Sequence, residues 1–405
     1  MDTVAPRRAW VLCGLLFCAT ALSFLDRQVL SVLAPQLIRD FGMSNTEYSR
    51  VVFAFVLSYT VMFSLGGRLM DRLGTGLGLS LSVGIWSLAS AAHALTSGAW
   101  GLGAARLMLG VGEGACFPAV TKGAVEWVRA EHRSLAIGFA NGGSAFGAVI
   151  APPLTAGLAG AFGWRATFLA TAALGLLWLI GWQLALRGVP KSKPAGEGRK
   201  VSFGSLLEKP EMRRLVVARF LFDPVFYFYM FWIPQYLSRE RGLSLEQIGA
   251  LTWIPFFVLG IVNISVGRLS DGLVNRGWPA RRARLTLMLV AALLTPCSWL
   301  VPLASSAQLA IALMSVLTFA HGIWIANFIT LIGDTVAPET VATAVGLTGT
   351  AGGIAGMLTN LMIGRVVDQF SFAPVFIVSA VVYPVAWFVI ACGQRKNLET
   401  VEVRG

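Results

Sequence analysis

Charged side chains are scarce in this chain. Only 13% of its 405 residues are Asp, Glu, Lys or Arg, where a soluble domain carries about a quarter. That scarcity excludes an ordinary water-soluble globule. Histidine is scarcer still: His93, His132 and His321 stand in no metal-ligand spacing, and neither a zinc-protease nor a phosphate-loop motif is present. An enzyme has little to rest on, and neither metal nor cofactor is expected. The five cysteines, Cys13, Cys18, Cys116, Cys297 and Cys392, are odd in number, scattered and set in apolar segments, as small buried hydrophobes are. What the chain has in quantity is apolar: 56% of residues are hydrophobic and mean hydropathy is +0.71.

The apolar residues fall in runs separated by short polar breaks. The runs predict helices at about 9–34, 47–67, 76–96, 99–121, 134–158, 165–187, 214–237, 246–267, 284–303, 308–332, 341–364 and 373–392. Each is near the ~20 residues that span a bilayer as a helix. The strict alternation of a membrane barrel is absent. The expectation is an all-α polytopic membrane protein with about twelve spans. The opening "RRAWVLCGLLFCATA" mimics a secretory leader, but its apolar run continues well past Ala21.

The formal net charge of +12 suggests nucleic acid until the positions are read. Of 32 Lys and Arg, 23 fall on the side of the N-terminus, six on the other side, and Arg27, Arg106 and Arg219 inside spans. That asymmetry is the positive-inside pattern, with both termini cytoplasmic. It implies contact with an anionic lipid bilayer and no nucleic-acid partner.

The chain also repeats itself. "PQLIRDFGMSNTEYSRVVFAFVLSYTVMFSLGGRLMD" (35–71) overlies "PQYLSRERGLSLEQIGALTWIPFFVLGIVNISVGRLSD" (234–271), with GRLMD and GRLSD at an offset of 200. Glu131, Gly138 and Phe168 meet Glu339, Gly346 and Phe376 at an offset of 208. Half the chain is the period, so two six-helix halves are expected in the same orientation. They are 1–187 and 214–405, joined by a Pro/Gly/Lys-rich cytoplasmic linker, 188–213.

Two six-helix halves, a basic central loop and G-R-L-x-D after the second helix of each half resemble the major facilitator superfamily. "GGRLMDRLG" is similar to its loop signature G-x-x-x-D-R-x-G through Gly67, Asp71, Arg72 and Gly74, and departs at Thr75-Gly76, where basic residues are usual. "FLDRQVL", "ARLMLGVGEGACFPA", "FDPVFYFYMFWIPQYL" and "GLTGTAGGIAGM" narrow the likeness to the anion:cation symporter family, and within it to bacterial hexuronate and sugar-acid transporters. The resemblance implies a bacterial inner-membrane symporter that moves an organic anion, commonly with protons, by alternating access. It implies a gating role for Asp71, Arg72 and Asp271; the two aspartates are expected just outside helices at the cytoplasmic face, placed to cap a helix N-terminus or to pair with an Arg across the halves.

Six ionisable side chains lie inside the spans: Asp26, Arg27, Arg106, Glu113, Arg219 and Asp223. A charge near the bilayer centre costs roughly 2.5–3.5 kcal/mol on insertion scales, so each needs compensation or a function. Arg106 and Glu113, seven residues apart, share a helix face about 10 Å from each other. Arginine suits a substrate carboxylate because its planar guanidinium is always charged and binds in a fork. Carboxyl groups can be neutralised: a dry site favours the proton and a nearby guanidinium opposes it. Filling the Arg with substrate therefore changes the proton affinity of its partner. Arg27 is the expected principal anchor and Arg106 a second anchor or the partner of Asp26. Asp26 and Glu113 are the expected proton carriers, with Na⁺ as an alternative ion.

Arg219 and Asp223 are weaker candidates; Arg219 is close enough to the helix start to snorkel, and Asp223-Pro224 suggests a helix break. Neutral groups for a polyol are Tyr59, Asn141, Ser144, Tyr227, His321, Trp324, Asn327 and Thr330, with Trp324 able to stack on a sugar ring. Phe24 lacks the hydroxyl of the tyrosine found in some sugar-acid members. Other readings are import of an aromatic or small organic acid, a drug/proton antiporter, which Arg27 and Arg106 disfavour, and a non-transporting receptor.

Overall fold

Apolar runs form the helices and glycines divide them. A computed structural model of the chain describes residues 5–189, 202–337 and 340–392. Residues 190–201 of the linker, Glu339 of the repeat, and Arg395, Lys396 and Arg404 lie outside the described residues. α1 spans Pro6–Asp40. The helix Asn45–His93 bends at Gly74, whose φ of 75° disfavours any side chain. It thus supplies two spans, α2 (45–73) and α3 (75–93). α4 occupies 99–127 in two pieces, Ala99–Glu113 and Cys116–Trp127. Arg133–Leu186 breaks at Gly163, φ 83°, into α5 (133–162) and α6 (164–186). α7 is Pro210–Arg241, α8 Leu245–Asn275, and α9 Ala280–Leu294 with the 3₁₀ turns Thr295–Leu300. α10 is Ala307–Thr335, α11 Val341–Gln369 and α12 Ala373–Ala391.

Among the described residues, nine helices are long and apolar enough to cross a membrane. Two of these are double, because of Gly74 and Gly163, and the interrupted α4 completes twelve spans among the described residues. α1, at 35 residues, overruns the expected 9–34. Its length of about 50 Å exceeds the ~30 Å hydrocarbon core, so its ends stand outside it. Leu177 and Ile180 of α6, Leu293 of α9 and Val381 and Phe388 of α12 are all more than half exposed. In water such surfaces would aggregate; facing lipid they are satisfied.

The repeat survives at the level of single hydrogen bonds. α1 ends at Gly42 (φ 61°) and α7 at Gly242 (φ 66°), each in the left-handed region that closes a helix. Ser44 then caps α2, accepting from the Glu47 N–H at 3.1 Å while Glu47 accepts from the Ser44 N–H at 2.8 Å. Ser244 and Gln247 do the same before α8, at 3.3 and 3.0 Å. Both are capping boxes, two hundred residues apart.

By packing, the chain gathers into two compact units. The first comprises Met1–Gly198, Tyr229–Phe257 and Asn360–Asp368; the second comprises Arg199–Phe228, Val258–Thr359 and Gln369–Gly405. In the first, glycines let helices approach closely. A Cβ on Gly112 of α4 would lie 2.7 Å from the Trp86 nitrogen of α3, and one on Gly114 would lie 2.7 Å from the Tyr59 oxygen of α2. In the second, the indole of Trp387 on α12 donates to the Leu285 carbonyl of α9 at 2.9 Å.

Candidate functional site

Successive residues of a helix point about 100° apart, so Asp26 and Arg27 face different neighbours. Arg27 turns to α4 and α2. Its Nη2 and Nε donate to one oxygen of Glu113, Oε2, at 2.9 and 3.2 Å, and Ser23 donates to the same oxygen at 3.1 Å. The guanidinium carbon lies 4.4 Å from the ring centre of Tyr59, 4.6 Å from that of Phe24 and 5.2 Å from that of Phe55. Such cation–π contacts hold a charge where water is scarce. Asp26 turns to α3 and α6, where its Oδ1 accepts from Ser90 at 2.9 Å.

Arg106, on α4, donates from Nη1 to the Arg27 carbonyl at 3.2 Å, while its Nε and Nη2 have no hydrogen-bond partner. It is 1% exposed, Asp26 2%, Arg27 4% and Glu113 buried completely. Two acids and two bases thus cancel formally in a dry interior, yet only Arg27 and Glu113 form an ion pair; Arg106 forms none with Asp26 among the described residues. Gly110, between Arg106 and Glu113, is packed against the Phe55 carbonyl and Ser58 of α2. It serves helix packing.

The remaining nominated residues divide between the units. In the first, Tyr59 is 9% exposed beside Arg27. Ser144 is half-buried on α5 and donates to the Asn141 carbonyl at 2.8 Å. Asp71 lies in the last turn of α2, within the helix and not outside it, and binds Lys122 of α4 at 2.9 Å. The adjoining Arg72 is exposed.

In the second unit, Asp271 is likewise inside its helix, α8, and lies 3.4 Å from Arg284, whose Nε is 3.6 Å from Asp334. Both aspartates pair with a cation of their own unit because a basic residue of the next helices reaches them. Arg219 does not snorkel. It bonds Asp223, one turn on, at 2.7 Å, and α7 runs through Asp223-Pro224 without a break. Glycine at 352 on α11 leaves room for the Asp223 carboxylate, and Gly356 for the half-buried ring of Tyr227.

Trp324 is fully buried, its ring centre 5.5 Å from that of Phe222 and 5.3 Å from that of Tyr383. The Asn327 amide accepts from Ser270 and donates to the Ile323 carbonyl, both at 2.8 Å. His321 bonds the Tyr383 hydroxyl at 2.6 Å, and Thr330 is exposed, bonded to its own helix.

Sequence reasoning missed Ser23, Ser90 and Thr171. They are hydroxyls in apolar helices, and the available signal was their periodicity. It also missed Asp368. Its Oδ1 accepts from the N–H and side chain of Asn45 at 3.2 and 2.8 Å, and its Oδ2 from those of Thr46 at 2.8 and 2.7 Å.

Comparison with known proteins agrees with this architecture. The family model described as Major Facilitator Superfamily matches residues 16–360. The chain is 30% identical over 393 residues to the hexuronate transporter of Escherichia coli K12, covering 92% of this chain and 90% of that one. It is 29% identical over 371 residues to the hexuronate transporter of Bacillus subtilis, covering 87% of each. Among solved structures, a bacterial homologue of the human lysosomal transporter Spinster, inward-facing and occupied, superposes with a TM-score of 0.73 at 20% identity. That match covers 97% of this chain and 93% of the other. Twelve spans, a duplicated helix-loop signature and buried compensated charge have one common explanation: the chain is a multi-pass membrane transporter and belongs to the major facilitator superfamily.

Proposed function

We propose that the protein is a proton-coupled symporter of a sugar acid, most simply a hexuronate, in a bacterial inner membrane with both termini cytoplasmic. The observation that carries this reading is the buried Arg27–Glu113 pair beside Asp26 and Arg106, in a chain with few other charges inside its spans. The names of its relatives support the substrate class.

The chemistry runs as an exchange of partners. Glu113 holds Arg27 while it is ionised. A proton on Glu113 removes the charge that holds the guanidinium, and Arg27 becomes available to the substrate carboxylate. Arg106, with two N–H-bearing nitrogens unpartnered in a buried position, is the second anchor. Tyr59 and Ser144 are the neutral groups we assign to the sugar hydroxyls. Release of substrate re-forms the ion pair and favours loss of the proton. Binding of anion and proton thereby become mutually dependent. Asp71, Arg72 and Asp271, at helix ends next to loops, are assigned to gating between the two repeat halves.

Purified protein in proteoliposomes tests this. An inward pH gradient should drive accumulation of labelled glucuronate above its equilibrium level, and other sugar acids in a panel should compete. A sodium gradient at equal pH should not. Accumulation driven by sodium alone overturns the coupling ion; competition by cationic drugs in place of sugar acids overturns the substrate class.

A further inference from the structure

Asp26 ends a buried polar seam between α3 and α6 that the reading above does not use. On α3, Ser87, Ser90 and His93 follow at intervals of three; on α6 and its start, Gly163, Thr167, Thr171 and Gly175 follow at intervals of four. These spacings put each set on one helix face. The faces meet. Thr171 and Ser90 are hydrogen-bonded at 3.0 Å, the His93 ring stacks on that of Phe168 at 4.7 Å, and Gly175 has no room for a Cβ beside Ser87. Ser87, Ser90, His93, Thr167 and Thr171 are each at most 2% exposed.

Small polar residues are ordinary helix-packing devices in membranes. Two observations go beyond packing. The seam terminates on a buried carboxylate, through Ser90 to Asp26 at 2.9 Å. It also contains a fully buried imidazole, His93, whose Nδ1 faces the Ala89 carbonyl at 2.7 Å while its Nε2 is unpartnered.

We infer that Ser90 and Thr171 are positioning residues for Asp26: they hold its carboxylate on the α3–α6 side and out of ion pairing with Arg106, so that Asp26 titrates apart from the substrate-linked Arg27–Glu113 pair. The inference rests on the proposed proton coupling for its role but not for its test. The charged and titratable groups of the cluster are, besides Asp26, Arg27 on the same helix, Arg106, Glu113 and Cys116 on α4, His93 on α3, and Tyr48 and Tyr59 on α2. α5 and α6 bring only the terminal Arg133 and Arg165. The hydroxyl pair is therefore the neutral element that sets which way Asp26 points. Asp26 is then a second proton site, set apart from Glu113, whose own protonation exchanges Arg27 for substrate.

The test is infrared titration of purified protein, following the carboxyl stretching band that disappears in Asp26→Asn. Ser90→Ala and Thr171→Val should each move the midpoint of that band towards higher pH by about one unit, the size expected for losing a hydrogen bond to an ionised group. Ser90→Thr and Thr171→Ser, which keep the hydroxyls, should restore it. Midpoints within about 0.2 units of wild type in both hydroxyl-free variants overturn the inference; the seam is then packing alone. Glucuronate exchange by the same preparations separates the two readings. A midpoint that shifts in protein unable to accumulate glucuronate sinks the transport reading and leaves this one standing. An unshifted midpoint in protein that accumulates it does the reverse.

Discussion

Arg27 closes two nitrogens on a single oxygen of Glu113 and leaves the other oxygen, Oε1, buried without a hydrogen-bond partner. The pair is one-sided, which suits the proton uptake proposed for Glu113.

Glu113→Gln mimics the protonated acid. Equilibrium exchange of labelled glucuronate across vesicles should persist within about threefold, while accumulation under a pH gradient should be abolished. Accumulation that survives in this variant transfers the coupling role to Asp26.

Arg27→Lys keeps the charge and loses the fork and the flat contact with Tyr59 and Phe24. Loss of one charge-assisted hydrogen bond is worth about 1.5–3 kcal/mol, so uptake should fall roughly 10- to 100-fold. Membrane yield should be unchanged. Uptake at wild-type affinity in both Arg27→Lys and Arg27→Ala would remove Arg27 as the anchor.

Gly112→Ala should fail for a different reason. The new methyl would sit 2.7 Å from the Trp86 nitrogen and 2.9 Å from the Ser82 carbonyl, backbone atoms that cannot swing away. A cost of about 1–3 kcal/mol is expected from such overpacking. It should appear as lower membrane yield and a lower melting temperature, with Gly103→Ala, where nothing lies within 4 Å, as the silent control.

Asp368→Ala removes the acceptor of four hydrogen bonds at the first turn of α2. Anions at a helix N-terminus stabilise it by about 0.3–1 kcal/mol, and hydrogen bonds to a charge add to that. Melting of the purified protein should drop by a few degrees, with Asp368→Asn in between. A melting temperature equal to wild type would show that water replaces the carboxylate at no cost.

Much of this molecule can be read from its residue pattern. Long apolar runs define spans because nothing else is stable in hydrocarbon, and Gly74 announced its turn by closing the loop signature. Arg27 and Glu113 were legible because a charge in such a run requires a reason. Helix ends were less so: Asp71 and Asp271 read as loop residues and belong to helices, since α2 and α8 run on past the ends of their apolar runs. Partners were least legible. Nothing in the pattern around Asp368 points to Asn45, 323 residues away. Lys122 gives no hint of Asp71, and a serine in an apolar helix looks the same whether it fills space or holds a carboxylate. Trp324, an attractive platform for a sugar in sequence, is enclosed by other rings.

The matched ends of α1 and α7 carry an evolutionary consequence. With Gly42 and Gly242 as anchors, Asp26 and Arg27 correspond to Phe226 and Tyr227. Phe226 lies flat on His321 at 4.8 Å, and Tyr227 fills the space above Gly356. The signals that end one helix and begin the next have been retained in both copies, as they must be if each copy is to fold. Charged residues stand at these two positions in one copy only. A gene that doubled would have begun with equivalent copies; in this descendant the symmetry persists in the joints of the chain and not at these two positions.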